Sequence, residues 1–200
     1  MKDLLKFIKD NYKEGEPILL KDLKCLDISY DNLRQKLKKL TDSNLIYRAT
    51  DGIYYYGNKP TVEEVAQKRF ISRNNQIFGY YIKNSLLSRM GFEIKNDCDE
   101  IITNEFGAIV RDIDILGSKV RVRRSKIEID KNNYYILQLL DLIKDLSKYK
   151  LNEVMVEKSL KDFVNEYKIT KDDIDKYICY YPYVTFKNYY KYNIENILVN

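Results

Sequence analysis

Two carboxylates with catalytic potential lie two positions apart, at Asp112 and Asp114. On a β-strand both side chains would point to the same face, as they do in nucleotidyltransferases, where such a pair holds Mg²⁺. Those enzymes also need a Gly-Ser turn upstream to grip the nucleotide phosphates, whereas the residues before this pair offer Gly107-Ala108. We therefore predict that the aspartates balance basic residues on the neighbouring strand, and we expect no catalytic residue, metal site or cofactor.

A second set of side chains lies on a predicted helix from Ser29, as N-cap, to about Thr41. Leu33, Leu37 and Leu40 recur at helical spacing and predict its buried face. The opposite face of this helix presents polar and aromatic residues: Tyr30, Asp31, Arg34, Gln35 and Lys38. These residue types suit nucleic acid, although a basic helix face can also be simply solvated.

The chemistry of these side chains favours the DNA interpretation. Arginine pairs with guanine and glutamine with adenine at base edges, so Arg34 and Gln35 are predicted to read sequence. Lys38 and Lys39 suit phosphate groups, as does Arg48 further along the chain. Together with Tyr30 they form the predicted DNA-binding set.

The elements around this helix predict how it is positioned. Apolar residues at helical spacing predict a first helix over about 1–12, and 18–23 predicts a short second one. After the third helix, strands over 45–48 and 53–56 are joined by an Asp51-Gly52 turn. Three helices and a hairpin within 1–56 are the layout of a winged helix-turn-helix, whose third helix enters the major groove while the hairpin follows the phosphate backbone.

The rest of the chain predicts a second, α+β domain over 61–200, after a Gly-Asn-Lys-Pro linker at 57–60. Thr61 and Glu64 form a capping box at the head of a helix reaching about Ser72. Further patterns predict helices over 79–90 and 134–146 and strands over 101–103, 109–116 and 119–124. The predicted core ends near 147, and a helical tail, rich in tyrosine, covers about 151–198.

Composition excludes several function classes. There is no histidine, which removes Ser-His-Asp and Cys-His nucleophile systems and His-ligated metals. Cys25, Cys98 and Cys179 are scattered, which predicts free thiols, and Cys25 is expected to be buried. There is no apolar run of 18 residues and no signal-peptide core, so we expect a cytoplasmic protein without membrane contact. The net charge is +5.

Five segments, in order, resemble motifs of the AbiEi-type antitoxins of type IV toxin–antitoxin systems, and the resemblance covers roughly 1–145. They are the wing ending Asp51-Gly52-Ile53-Tyr54-Tyr55, the stretch from Phe78-Gly79-Tyr80-Tyr81 to Leu87-Ser88-Arg89-Met90-Gly91-Phe92, Glu100-Ile101-Ile102-Thr103-Asn104, Lys119-Val120-Arg121-Val122-Arg123-Arg124, and Tyr135-Ile136-Leu137-Gln138-Leu139-Leu140-Asp141. The chain departs from the family pattern at Asn84, where the family has a small residue, at Met90 and Phe92, where leucine is frequent, and by lacking a proline after the basic strand.

This resemblance implies a non-enzymatic, two-domain antitoxin. The winged helix would bind inverted repeats in double-stranded DNA at its own promoter and repress transcription. The C-terminal domain would counteract a nucleotidyltransferase-like toxin, with or without a stable complex. The family is also linked to phage defence.

A basic strand in the second domain has two interpretations. Lys119, Arg121 and Arg123 alternate along it, so they share one face while Val120 and Val122 take the other. The cations could contact flanking DNA, the toxin or the toxin's nucleic-acid substrate. They could equally form the solvated face of a hairpin.

An alternative function belongs to a different class. Winged helices also serve as packing modules, and 1–56 carries only 11 basic against 9 acidic residues. The rival interpretation is therefore a protein–protein adaptor without sequence-specific DNA binding.

Overall fold

The computed structural model describes residues 2–92, 100–149 and 152–199, in which helices and strands are mixed as predicted for an α+β protein. The helices are α1 (Lys2–Asn11), α2 (Tyr30–Asp42), α3 (Val62–Ala66), α4 (Asn84–Arg89), α5 (Tyr134–Asp145), α6 (Glu153–Tyr167), α7 (Lys171–Ile178) and α8 (Tyr183–Lys191). The strands are β1 (Ile18–Leu19), β2 (Tyr47–Thr50), β3 (Ile53–Tyr55), β4 (Ser72–Arg73), β5 (Gln76–Ile77), β6 (Gly79–Ile82), β7 (Glu100–Thr103), β8 (Val110–Ile115) and β9 (Ser118–Arg124). Short 3₁₀ segments cover Asp22–Leu26, Leu146–Lys148 and Ile194–Ile197.

The N-terminal elements fold around the apolar face of α2. Leu33, Leu37 and Leu40 are buried as predicted, and they pack in one cluster with residues of α1 and β1. The hairpin β2–β3 follows, with Gly52 at a positive φ of 73° in its turn. Only Gly adopts this conformation without steric cost, which explains the Asp-Gly signal. The resulting sheet has the strand order β1-β3-β2.

The predicted short helix over 18–23 is wrong. Ile18 and Leu19 form β1 instead, where they pair with Tyr54 and Ile53 of β3. The helical turn comes later, as a 3₁₀ segment at Asp22–Leu26. Ile18 and Leu19 are both buried, and periodicity cannot distinguish such a short, fully buried apolar run from a helix.

A four-stranded sheet with the order β6-β7-β9-β8 forms the centre of the chain, and β7 and β9 run parallel. On one face, Tyr81, Ile101 and Val122 pack in a cluster with residues of α3 and of the N-terminal hairpin. On the other face, Tyr80 and Ile102 pack against α5. The sheet therefore separates the N-terminal elements from the helical tail.

The predicted helix over 79–90 is half right. Gly79–Ile82 is β6, paired with β7, and helix begins only at Asn84. A Cβ atom on Gly79 would lie 2.0 Å from the carbonyl oxygen of Phe70 and 2.7 Å from that of Ile102. Glycine is therefore required because two backbone segments approach closely, and this tertiary constraint overrides the local helical pattern.

The predicted capping box is confirmed: the Thr61 hydroxyl accepts from the Glu64 N–H, and the Glu64 carboxylate accepts from the Thr61 N–H. Helix α3 continues as a π-helical turn at Gln67–Ile71, which agrees with the predicted end near Ser72. The hairpin β4–β5 that follows turns at Asn74 and Asn75, both at positive φ. The sequence prediction missed this hairpin.

The tail helices α6 to α8 pack on α5 in one apolar cluster with α4. Its members include Leu139 and Ile143 of α5 and Val164 of α6. The buried Asn188 side chain of α8 donates from Nδ2 to the Ile143 carbonyl over 2.7 Å. The tail is thus part of the packed body of the protein.

The predicted linker lies between β3 and α3, and the segments on either side of it are in contact. The Leu116 N–H donates to the Ala49 carbonyl over 2.9 Å, and Lys21 Nζ lies 2.6 Å from a Glu105 carboxylate oxygen. Burial alone would raise the pKa of Glu105, but hydrogen bonds from Arg73 and Lys21 outweigh it and lower that pKa. The position of the hairpin relative to the sheet is therefore set by both packing and charge.

Candidate nucleic-acid interface

The exposed face of α2 carries the predicted base-reading residues. Arg34 and Gln35 are exposed, and so is Lys38 one turn further along. The guanidinium carbon of Arg34 lies 5.7 Å from the ring centroid of Tyr30, which is itself half exposed. This cation–π contact restricts the arginine without removing its hydrogen-bond donors.

A groove of about 400 Å³ brings this face together with the hairpin. Arg34, Gln35 and Lys38 line one side of it, and Arg48 of β2 lines the other. Arg48 is also ion-paired with Asp51 at the hairpin turn. Lys39 is exposed but does not line this groove. The structure therefore brings together four of the predicted DNA-binding residues.

A second groove, of about 380 Å³, extends past the N-terminus of α2. Tyr30, Arg34 and Arg48 line it together with Lys24 of the 3₁₀ segment and Arg69. Asp51 also lines this groove, and one of the cations, Arg69, comes from beyond the linker.

A third depression, of about 540 Å³, lies between the hairpin and β8. Arg48, Arg69 and Arg111 line it. Arg69 is held over the ring of Phe70, with its guanidinium carbon 5.4 Å from the ring centroid. Because Arg69 and Arg111 come from separate segments that meet only in the fold, spacing along the sequence gives no signal for them.

Asp112 and Asp114 also line this third depression, and both have partners. Arg121 donates from Nε to Asp112 over 2.8 Å and from a terminal nitrogen over 3.3 Å. The hydrogen bond from Arg121 lowers the pKa of Asp112. Asp114 accepts from the Gly117 N–H over 3.0 Å. The predicted cross-strand charge pair is therefore confirmed for Asp112.

The basic strand β9 alternates as predicted, with Val120 and Val122 buried. On its other face, Arg121 pairs with Asp112, and Arg123 pairs with the fully buried Glu100 of β7. Lys119 is exposed. Two of the three predicted cations thus have a carboxylate partner, which makes this face less positive than its sequence implies.

The described residues contain no group of three His, Cys, Asp or Glu side chains arranged to hold a metal ion. Within the same ranges no helix is long and apolar enough to cross a membrane. Cys25 and Cys179 are free thiols, and Cys25 is exposed, so its predicted burial is wrong. It lies on the outer side of a 3₁₀ turn, whose inward residue is Leu23. Cys98 lies outside the described residues.

Comparison with models of known protein families finds no match for the chain, and comparison with curated proteins finds no similar sequence.

Proposed function

We propose that residues 2–56 form a winged helix that binds double-stranded DNA, and that the protein is a transcriptional autorepressor and antitoxin of the AbiEi type. The observation that carries the DNA-binding part is the groove in which Arg34, Gln35 and Lys38 of α2 face Arg48 of the hairpin. A helix that reads base edges beside a hairpin on the phosphates is how winged helices bind DNA.

The order of elements supports the same proposal. A helix, a short strand, a helical turn, a second full helix and a hairpin follow one another between Lys2 and Tyr55. The apolar face of α2 is buried and its polar face is open, which is what a recognition helix needs. Arg69 and Arg111 line the depression between the hairpin and β8, and we assign them to phosphate contacts.

The antitoxin part of the proposal rests on the resemblance and on where its segments lie. Four of the five segments include β6, β7, β9 and α5. These strands are neighbours in one sheet, and α5 packs on β6 through a hydrogen bond of 2.6 Å from Gln138 Nε2 to the Tyr81 carbonyl. Four of the five segments therefore contribute to one structural unit.

The DNA-binding part is tested by fluorescence anisotropy with duplex DNA from upstream of the protein's own gene and with a scrambled duplex. We expect tighter binding to the upstream duplex by at least about 1,000-fold, the lower end for specific recognition. Equal binding to both duplexes would favour the adaptor alternative, in which the α2 groove receives a protein.

The antitoxin part is tested by growth of cells that express the nucleotidyltransferase-like toxin that the resemblance implies as this protein's partner. We expect co-expression of the full chain to restore growth, and residues 2–56 alone to fail. No rescue by the full chain would contradict the antitoxin role and leave DNA binding as a separate result.

A further inference from the structure

A cavity of about 480 Å³ lies between the central sheet and the helical tail, apart from the grooves around Arg48. Its apolar wall comes from Ile102, Ile127 and Leu137, and tyrosines contribute from two sides of the cavity. This size is within the range of about 300–1,000 Å³ that small-molecule sites occupy, and an apolar lining with a few convergent polar groups is typical of them.

The polar groups inside the cavity form one hydrogen-bonded cluster around Asp141, which is only 6% exposed. Tyr80 donates to one Asp141 carboxylate oxygen over 2.8 Å. The Tyr181 hydroxyl lies 3.3 Å from the same oxygen and 3.1 Å from the Leu137 carbonyl oxygen, so its one proton has two acceptors within reach. Lys144 pairs with the other oxygen. Burial, and then the charge of Asp141, raise the pKa of both tyrosines, so their hydroxyls stay protonated. The cluster satisfies the carboxylate and fixes the wall.

The mouth of the cavity is positive. Arg124 and Lys126 line it, both are exposed, and neither forms an ion pair with any residue that the structure describes. Arg123 also lines the cavity, although it pairs with Glu100. An anion between these cations would pair with their charges.

The mouth also exposes apolar surface. Ile109 is 83% exposed and Tyr180 is 64% exposed, and both line the cavity. A flat aromatic group would cover this surface, because stacking on a tyrosine ring and contact with an isoleucine both remove apolar area from water. A simple inorganic anion would leave it exposed.

We propose that this cavity binds a nucleoside phosphate, with the base covering Tyr180 and Ile109 and the phosphates between Arg124 and Lys126. The cations would bind an anion, and the exposed side chains of Tyr180 and Ile109 would pack against a planar ring. A nucleoside phosphate carries both groups. Arg123 projects from the sheet face opposite to that of Val122, whereas Arg111, which pairs with Val122 across the hairpin, lies on the Val122 face with the DNA grooves.

The test is isothermal titration calorimetry of the full chain with ATP, GTP, adenosine and inorganic tripolyphosphate. We expect at least one nucleotide to bind with a micromolar Kd, and adenosine and tripolyphosphate to bind at least about tenfold more weakly. No nucleotide binding up to millimolar concentration would overturn the proposal. Tripolyphosphate binding as tightly as the nucleotide would also overturn it, because the aromatic wall would then contribute nothing.

Three single variants test where the nucleotide binds. Each replaces an exposed residue and leaves the core intact. We expect Arg124→Ala and Lys126→Ala each to weaken nucleotide binding about tenfold, as the loss of a charge-assisted hydrogen bond predicts. Tyr180→Ala should weaken nucleotide binding by a similar factor and leave tripolyphosphate binding unchanged. The matched control is Lys131→Ala, an exposed lysine that does not line the cavity. Nucleotide binding unaffected in all three variants would place the ligand elsewhere and contradict the proposal.

Discussion

Removing Arg69 and Arg111 together tests whether the proposed DNA surface continues beyond the N-terminal elements. Both arginines line the depression between the hairpin and β8, and neither forms an ion pair with another described residue. We expect the Arg69→Ala/Arg111→Ala variant to bind DNA with a weaker dependence on salt and with an unchanged preference between sequences. Phosphate contacts release counterions but carry no base information.

The size of this effect follows from the cations that line the three grooves without a carboxylate partner among the described residues. They are Lys24, Arg34, Lys38, Arg69 and Arg111. If Arg34 reads a base, four remain for phosphates, and the slope of log Kobs against log salt is about −3.6 per protomer. The double variant retains a slope of about −1.8. Between 50 and 200 mM salt the wild type then loses affinity roughly 150-fold and the variant roughly 12-fold.

The assay is fluorescence anisotropy of a labelled upstream duplex over a series of KCl concentrations. The matched control is Arg124→Ala/Lys126→Ala, which removes two exposed cations that do not line these grooves. We expect the control to keep the wild-type slope. An unchanged slope in the Arg69/Arg111 variant, or an equal loss in the control, would refute the assignment of these arginines to the DNA surface.

Three further predictions concern stability, each measured by urea unfolding. Gly79→Ala should destabilise the protein by about 1–3 kcal/mol or more, because the new Cβ meets the Phe70 carbonyl oxygen at 2.0 Å, whereas Gly107→Ala, with nothing within 4 Å, should change little; equal midpoints would contradict the close approach. Leu37→Ala should cost about 2–5 kcal/mol, because this side chain is fully buried under α2; a loss below 1 kcal/mol would show that the face is not packed. The pKa of Glu105 is lowered in the folded protein, so its ion pairs stabilise the fold fully above about pH 4.3 and lose this effect as the pH falls through the folded pKa. Glu105→Gln should therefore reduce the loss of stability between pH 5 and pH 3. A profile of stability against pH that is the same in wild type and variant would contradict this.

Several features that the sequence predicted correctly depend on local periodicity. The buried leucines of α2 follow the 3.6-residue helical repeat, and the buried valines of β9 follow the two-residue strand repeat. Two segments were misassigned because tertiary contacts decide them: Ile18–Leu19 becomes a strand by pairing with β3, and Gly79 begins a strand where two backbones meet. The hydrophobic pattern of a short segment does not reveal contacts with residues far away in the sequence.

The candidate sites show the same limit. The exposed set Arg34, Gln35 and Lys38 could be predicted, because these residues share one face of α2. Arg69 and Arg111 were not, because they reach the groove from separate segments. The cluster of Tyr80, Asp141 and Tyr181 joins residues 61 and 40 positions apart, and no spacing rule connects them.

The central claim is that α2 reads base sequence, and the most direct measurement is the ratio of affinities for the upstream and scrambled duplexes in single variants. We predict that Arg34→Ala and Gln35→Ala each lower this ratio, by about 1–3 kcal/mol of discrimination. Lys38→Ala should weaken binding to both duplexes alike and leave the ratio unchanged. A ratio that is unaffected by either Arg34→Ala or Gln35→Ala would contradict the account of α2 as a recognition helix.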